Sequence, residues 1–153
     1  MKIITDLRDR VMKVNEDLTS GKMVQKIIQE HEAEIIDMNA QEQLFESGEN
    51  SLGVSIASYA PYAPITIEIK RMKGQPTNRV TLRDEGDFES SFYLVISDKQ
   101  FEIKASDWKT EELVEKYGSS ILGLTKENIA SLTWDYIYPE LMDTFKKELY
   151  GKQ

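Results

Sequence analysis

The residues with the most potential for chemistry are four carboxylates grouped around one glycine, in the stretch LRDEGDFES. Such a cluster could bind a metal ion or supply a catalytic acid–base pair. A calcium loop, however, needs Asp-x-Asp-x-Asp-Gly and a glutamate at its twelfth position, and DEGDFE lacks that spacing. A glycosidase-type pair needs one acid in an apolar pocket, whereas charges packed this closely favour exposure. We interpret Asp84, Gly86 and Asp87 as a structural turn with surface carboxylates, in which Gly86 takes a positive φ and an aspartate bonds to nearby backbone.

His31 is the single histidine, and the chain has no cysteine. A multi-histidine metal site, disulfides and thiolate catalysis are therefore excluded. His31 lies on the apolar stripe of a predicted helix, which favours a packed or half-exposed core role. A serine triad would lack its GxSxG elbow, and neither a Walker A loop nor GxGxxG occurs. We predict no catalytic, metal-binding or cofactor-binding residues, no cofactor and no enzymatic activity.

Charge is unevenly distributed along this acidic chain, whose net charge is -8. That sign argues against general or sequence-specific affinity for nucleic acid. Residues 27–69 include eight acids and no Lys or Arg, and residues 70–83 include five bases and no acid. Such blocks are typical of solvated faces; alternatively, they form complementary contacts between copies of the chain. On the second interpretation the candidate subunit-interface residues are Lys70, Arg71, Lys73, Arg79 and Arg83.

The first half of the chain reads as two helices followed by irregular pieces. Apolar residues from Ile3 to Leu18 recur at helical spacing up to Ser20-Gly21, and a second stripe runs from Val24 to Met38, which predicts an antiparallel helix pair within residues 1–42. Two glycines in 43–56 predict a turn or hairpin. Alternating isoleucines in 57–70 indicate a strand, with a short helix as the alternative, and 71–79 reads as an exposed, mobile basic loop.

The second half predicts a hairpin and then helices. FESSFYLVI (88–96) and FEIKA (101–105) flank a short turn, as in an antiparallel hairpin. Ser106-Asp107 can cap a helix from Trp108 to Tyr117 that Gly118 closes. A last helix starts at Thr125, and Pro139 should kink or divide it. The fold class is α+β: an N-terminal helix pair, a small antiparallel sheet and C-terminal helices in a single domain, 1–153.

Membrane and export signals are not found in the sequence. No apolar run approaches the roughly 20 residues that span a bilayer. The start, MKIITDLRDRVMKV, lacks the uninterrupted apolar core of a signal peptide. The expectation is a cytoplasmic protein without a membrane partner.

Several elements, taken in order, resemble the bacteriophage virion-morphogenesis proteins of the tail-completion or head–tail joining group. LRDEGDFESSF is similar to the element that precedes a strand in that group. Its matching residues are Leu82, Gly86, Phe88 and Ser91. Upstream, the matching features are Gly48, Tyr62-Ala63-Pro64, Thr66 and Lys70, and downstream ILGLTKENI (121–129) is similar to the step into the last helix. The resemblance covers roughly residues 43–150. Glu85 stands where threonine is usual, and YGSSILGL replaces a basic Arg-Pro approach.

The resemblance implies a structural assembly protein rather than an enzyme. Proteins similar to this one form rings at the junction of capsid and tail or at the tail end, so the expected partners are other copies of the chain, in a ring for which six copies is one arrangement, and phage neck, tail or capsid proteins. The expected location is the host cytoplasm during assembly and then the virion neck or tail, or the bacterial cytoplasm for a prophage. A small acidic helical binding or regulatory protein is the alternative, and it predicts an exposed apolar groove.

Overall fold

The computed structural model describes residues 2–151, of which eight segments are α-helical and two are strands. The α-helices are α1 (Lys2–Ser20), α2 (Lys22–Glu30), α3 (Glu32–Asp37), α4 (Pro64–Met72), α5 (Asp87–Ser90), α6 (Thr110–Tyr117), α7 (Lys126–Ser131) and α8 (Tyr138–Tyr150). The strands are β1 (Phe92–Ser97) and β2 (Gln100–Ala105), and π-helical segments span Met38–Ser47 and Leu132–Ile137. This arrangement confirms the α+β class.

Both predicted N-terminal helices are present, and their antiparallel packing on each other stays a prediction. α1 ends at Ser20, and Gly21, with φ 75°, separates it from α2. The predicted second helix is interrupted at His31 and continues through α3 and the first π-helical segment to Ser47. Residues 43–47 are therefore helical, so the predicted turn begins later, at Gly48. There an isolated bridge between Glu49 and Ser55 closes a hairpin-like loop.

The alternating isoleucines at 65, 67 and 69 form a helix, so the strand interpretation is wrong and its helical alternative is right. Pro64 occupies the first turn of α4, where its missing N–H and fixed φ are tolerated. Ile65 and Ile69 are both exposed on this helix. The alternation of isoleucines at positions 65, 67 and 69 therefore does not place them on one buried face.

The predicted hairpin is confirmed, with a later start. β1 and β2 pair antiparallel from Phe92↔Ala105 to Ser97↔Gln100, joined by the two-residue turn Asp98-Lys99. Residues 88–90, predicted as strand, belong to the helical turn α5 instead. The change of direction lets Phe88 pack edge-on against Phe92, with ring centroids 4.9 Å apart.

The C-terminal helices follow the predicted boundaries closely. α6 begins at Thr110 rather than Trp108, and the predicted cap by Ser106 or Asp107 is not formed. The Asp107 carboxylate instead accepts a hydrogen bond from Lys109 N before the helix, and Gly118 follows its last residue as predicted. The Thr125 hydroxyl caps α7 by accepting from Asn128 N at 3.2 Å. Pro139 divides the last helix as predicted, since α8 starts at Tyr138 after a π-helical segment.

The N-terminal and C-terminal helices pack together. α1 contacts both α2 and α8. Lys13 of α1 pairs with Glu148 of α8 at 3.4 Å, and Arg10 lies beside Gly151 at the end of α8. Residue numbers therefore rise along α1 as they fall along α8, so these two helices are antiparallel.

The core lies between α2, α3, the first π-helical segment, the hairpin and the 117–132 region. Its fully buried members are Ile35, Leu44, Ile56, Ile121, Leu132 and Val80. Two buried amides hold the 121–125 segment against this core. Asn39 bonds to Ile121 O and Gly123 N, and Gln43 bonds to Gly123 O and Thr125 N, at 2.8–3.1 Å. A segment with little regular structure is thus satisfied in its backbone hydrogen bonding.

Candidate interaction surfaces

Lys70, the first of the five predicted interface residues, lies inside the chain. It is 7% exposed, and its amine donates to Arg83 O at 2.8 Å and to Gln75 Oε1 at 3.1 Å. The same amine lies 5.0 Å from the centre of the Tyr62 ring. Its bonds fasten the C-terminal end of α4 to the irregular segment 80–83. These contacts give Lys70 a structural role within the fold.

Arg71 and Lys73 remain exposed, and each has an acidic neighbour in the same chain. Arg71 Nη1 lies 2.6 Å from Glu68 Oε1, and Lys73 Nζ lies 2.6 Å from Asp84 Oδ1. The Asp84 partnership lowers the pKa of that carboxyl and raises the pKa of Lys73. The following loop is anchored rather than free, because Gln75 donates to Asp84 O. Surface ion pairs of this kind contribute little stability, so both cations can exchange partners.

Arg79 and Arg83 lie against one aromatic ring. The Arg79 Nε donates to Phe45 O at 2.7 Å, and its guanidinium carbon lies 5.7 Å from the centre of the Phe45 ring. The guanidinium carbon of Arg83 is closer, at 4.0 Å, and its Nη2 donates to Gln41 Oε1. Stacking on a ring suits the planar guanidinium. These two arginines dock the basic segment onto the first π-helical segment.

The acidic turn has the predicted backbone but not a uniformly exposed set of carboxylates. Gly86 has φ 93° and directly precedes α5, which confirms the positive φ. Asp84 bonds to Lys73 rather than to nearby backbone. Asp84, Glu85 and Asp87 are exposed, so the carboxylates of the turn itself lie on the surface as predicted. Glu89, the fourth carboxylate of the cluster, is only 5% exposed. Helical phase explains this, because one turn of α5 places Glu89 beside the buried Phe88 and facing inward.

Glu89 is a buried carboxyl group whose pKa differs from its ordinary value. Neither of its oxygens has a hydrogen bond, although Arg83 Nε lies 3.4 Å from Oε1. Burial raises the pKa of Glu89, and the positive charges of Arg83 and Lys70 oppose that change. A buried carboxylate without hydrogen bonds is costly, so this group makes the local stability depend on pH.

His31 is partly buried and joins two ends of the chain. Its Nε2 lies 2.5 Å from Glu140 Oε1 on α8, and its Nδ1 lies 3.6 Å from Glu34 Oε1. The hydrogen bond to Glu140 raises the pKa of His31 most strongly, and burial partly opposes it. The ring also packs edge-on to Tyr136, with centroids 5.0 Å apart. The predicted packed role is therefore observed, with an ionic contact that the sequence did not indicate.

Within residues 2–151, no group of three or more potential metal-ligating His, Asp or Glu side chains is found. In the same range no helix is long and apolar enough to cross a membrane.

An apolar groove of about 990 Å³ lies between α2, the hairpin and the segments near α7. Leu18, Gly21 and Val24 are among the residues that line it. Phe101, Leu122 and Ile137 are partly exposed along it. This volume lies within the range of ligand and peptide sites. Sequence reasoning did not locate the groove, since the residues that line it come from segments far apart in the chain.

A second apolar surface lies on α1 and is here called the α1 stripe. It consists of Ile3 (84% exposed), Ile4 (72%), Leu7 (50%), Val11 (48%) and Leu18 (38%). Val14, in the same periodic pattern, is buried. The periodicity that predicted an amphipathic helix was therefore correct, but most of the apolar face has no partner within the described chain. Leu18 belongs to both surfaces, so the stripe and the groove are continuous.

Comparisons of the chain with family models, with curated proteins and with solved structures gave no match. The resemblance to phage tail-completion proteins therefore remains an expectation from the residues that carry it.

Proposed function

We propose that this protein is a non-enzymatic phage or prophage assembly protein that acts at the head–tail junction or the tail end through packing of subunits. The observation that carries the proposal is the exposure of the α1 stripe beside an open apolar groove. Contiguous exposed apolar surface of this kind marks interaction sites on soluble chains. The phage assignment rests on the sequence elements that resemble the tail-completion group and occur in the same order.

On this proposal the chain works in the host cytoplasm during assembly and then in the virion neck or tail. Its partners are other copies and neighbouring phage proteins. A ring requires a head-to-tail interface that closes by rotation, so one surface must meet a different surface of the next copy. Arg71 and Lys73 offer the basic side of such a contact, because both are exposed and held only by surface ion pairs. The acidic block 27–69 offers the other side.

A charge-reversal experiment tests the ring contact. Replacing Arg71 and Lys73 with glutamate should reduce the assembled fraction in sedimentation velocity and leave the circular dichroism unchanged. Lys70 is left intact because its amine is buried. Lys126→Glu with Lys146→Glu is the matched control, since both lysines are exposed on other helices and the charge change is the same. Equal assembly of the two double variants would remove the basic segment from the interface.

Gene neighbourhood provides an independent test of the phage assignment. Genes for portal, capsid and tail proteins beside this one are expected. A neighbourhood of metabolic or regulatory genes would overturn the assignment.

The groove favours a second candidate, a small acidic binding or regulatory protein. Such a protein is expected to be a monomer or dimer with one exposed apolar groove, and the groove of about 990 Å³ fits that description. An amphipathic helix of a partner would lie in it with its apolar face inward. A stable monomer or dimer that shows no larger species would favour this candidate over the ring.

A further inference from the structure

The α1 stripe is exposed because α8 packs on the flank of α1 rather than on its apolar face. The less exposed residues of α1 are Arg10, Val14 and Asp17, which follow one another at intervals of four and three. The Lys13–Glu148 ion pair lies on the same flank. The adjoining face carries Ile4, Leu7, Val11 and Leu18. Together with Val14 these residues have the alternating three- and four-residue spacing of a coiled-coil seam.

We propose that the α1 stripe binds the α1 stripe of a second copy in an antiparallel, two-fold symmetric pair. The charges that border the stripe select this arrangement. Arg10 and Asp17 are seven residues apart and lie along one edge of it. When two copies of α1 run antiparallel about an axis near residues 12 and 13, Arg10 of each copy faces Asp17 of the other. Because the pair is two-fold symmetric, the contact between Arg10 and Asp17 occurs twice.

Arg10 and Asp17 are each partly exposed, at the border between the α1 stripe and the flank of α1 that α8 contacts. Arg10 is held by Asp6 at 2.8 Å, in a pair whose side chains are 39% and 61% exposed. Asp17 forms no ion pair with any residue between 2 and 151. A parallel pair would place Arg10 opposite Asn15 and would leave Asp17 beyond the end of the partner helix, so it would form neither contact.

The same register also covers the apolar residues. Leu7 lies opposite Leu18 of the second copy, and Val11 lies against the edge of Val14 of the second copy. Ile4 then lies opposite Gly21, which lines the apolar groove. The exposed N-terminal isoleucines therefore meet a part of the partner that borders its own groove. α1 has 19 residues and is about 28 Å long, which is enough for two seven-residue repeats of the seam.

This contact uses the α1 stripe, the surface from which the proposed function is also argued, but the pair can form whether or not a ring does. A two-fold contact uses the same patch on both copies and cannot by itself close a ring, which needs a second, head-to-tail surface. Loss of rings without loss of the α1 pair would therefore count against the assembly role alone.

Cysteine cross-linking tests the antiparallel register directly, because the natural chain has no cysteine. Leu7→Cys and Leu18→Cys each introduce one thiol. Under mild oxidation, a mixture of the two variants is expected to form a disulfide-linked dimer of one copy of each, while each variant alone stays largely unlinked. Self-linking of Leu7→Cys would show a parallel pair and overturn the proposal. An absence of any linkage, together with a monomeric mass at all concentrations, would also overturn it.

Charge reversal supplies the second readout. Arg10→Asp and Asp17→Arg should each weaken the dimer by about tenfold or more, because each replaces two attractions with two repulsions, and the double variant should restore it. Glu16→Arg is the matched control, since Glu16 makes the same charge change on the opposite face of α1 and should have little effect. An equal loss in Glu16→Arg, or no rescue in the double variant, would contradict the paired charges.

Discussion

The contact between His31 and Glu140 makes a specific prediction about stability and pH. His31 stands at the break between α2 and α3, where φ is -104°. Its Nε2 meets Glu140 Oε1 at 2.5 Å, and Glu140 lies on α8. The pair therefore ties the N-terminal helices to the C-terminal helix. His31→Gln and Glu140→Gln each remove the ionic contact while keeping a polar side chain of similar length.

The sign of the pH dependence follows from the raised pKa of His31. The bond to Glu140 is the main cause, the charges of Glu140 and Glu34 add to it, and burial opposes it. The folded state holds the imidazole proton more tightly than the unfolded chain does. The stabilisation is therefore complete below the unfolded pKa of about 6.5 and is lost as pH rises through the raised folded value.

The size of the His31–Glu140 coupling depends on how far the two side chains are exposed to solvent. A hydrogen bond between charged groups contributes about 1.5–3 kcal/mol when it is well shielded. The His31 side chain is 16% exposed and that of Glu140 is 42% exposed, so solvent screens part of it. We expect a coupling of about 1 kcal/mol at acidic pH. For a domain of this size that corresponds to roughly 2–4 °C in Tm.

A double-mutant cycle measured by urea unfolding gives this coupling. It should be about 1 kcal/mol at about pH 5.5, where histidine is charged, and smaller at about pH 9, where the neutral imidazole keeps only a hydrogen bond to Glu140. Asp143 and Lys147 form the control pair, because they are exposed and one turn apart on the same helix. Their coupling should be small and should not change over this range. A His31–Glu140 coupling that is equal at both pH values, or absent at both, would show that the charge of His31 does not stabilise this contact.

Three further predictions concern the interior. Burial raises the pKa of Glu89, so the stability of the natural protein relative to Glu89→Gln should increase as pH falls from 7 toward about 4.5, and a flat difference across that range would contradict the burial of this carboxyl. Gly48→Ala should cost about 2 kcal/mol or more in urea unfolding, because φ is 66° and the new Cβ would lie 2.8 Å from Arg79 Cβ. Gly53→Ala is the control and should cost about 1 kcal/mol, because φ is 70° but the new Cβ would lie in open space. Equal costs would show that the close contact with Arg79 is unimportant. Gln43→Ala should cost about 3 kcal/mol, since it leaves buried groups of the 121–125 segment without partners, and a cost below about 1 kcal/mol would mean that water replaces the side chain.

Elements determined by local residues were predicted well. The Asp98-Lys99 turn, the Thr125 cap and the division at Pro139 each depend on residues within a few positions, and each appears where the sequence indicates. α4 was harder, because alternating isoleucines satisfy a strand pattern over a short window. Pro64 at its first turn and the buried amine of Lys70 favour the helix instead.

The candidate surfaces depend on contacts that no local pattern encodes. Arg83 lies over the ring of Phe45, 38 positions earlier in the chain, and this contact takes one predicted interface residue into the fold. Glu89 is buried because α5 forms a helical turn where a strand was predicted. The periodicity of α1 was visible in the sequence. Whether its apolar face packs inside the chain or remains exposed depends on where α8 lies, which periodicity cannot indicate.

We propose that copies of this chain assemble through complementary surfaces. Light scattering across concentration and salt, followed by negative-stain imaging, measures the mass and shape of the assembled species. We expect a species several times the mass of the 17.6 kDa monomer that grows with concentration and forms closed rings. A monomeric mass at every concentration and salt would show that the copies do not assemble.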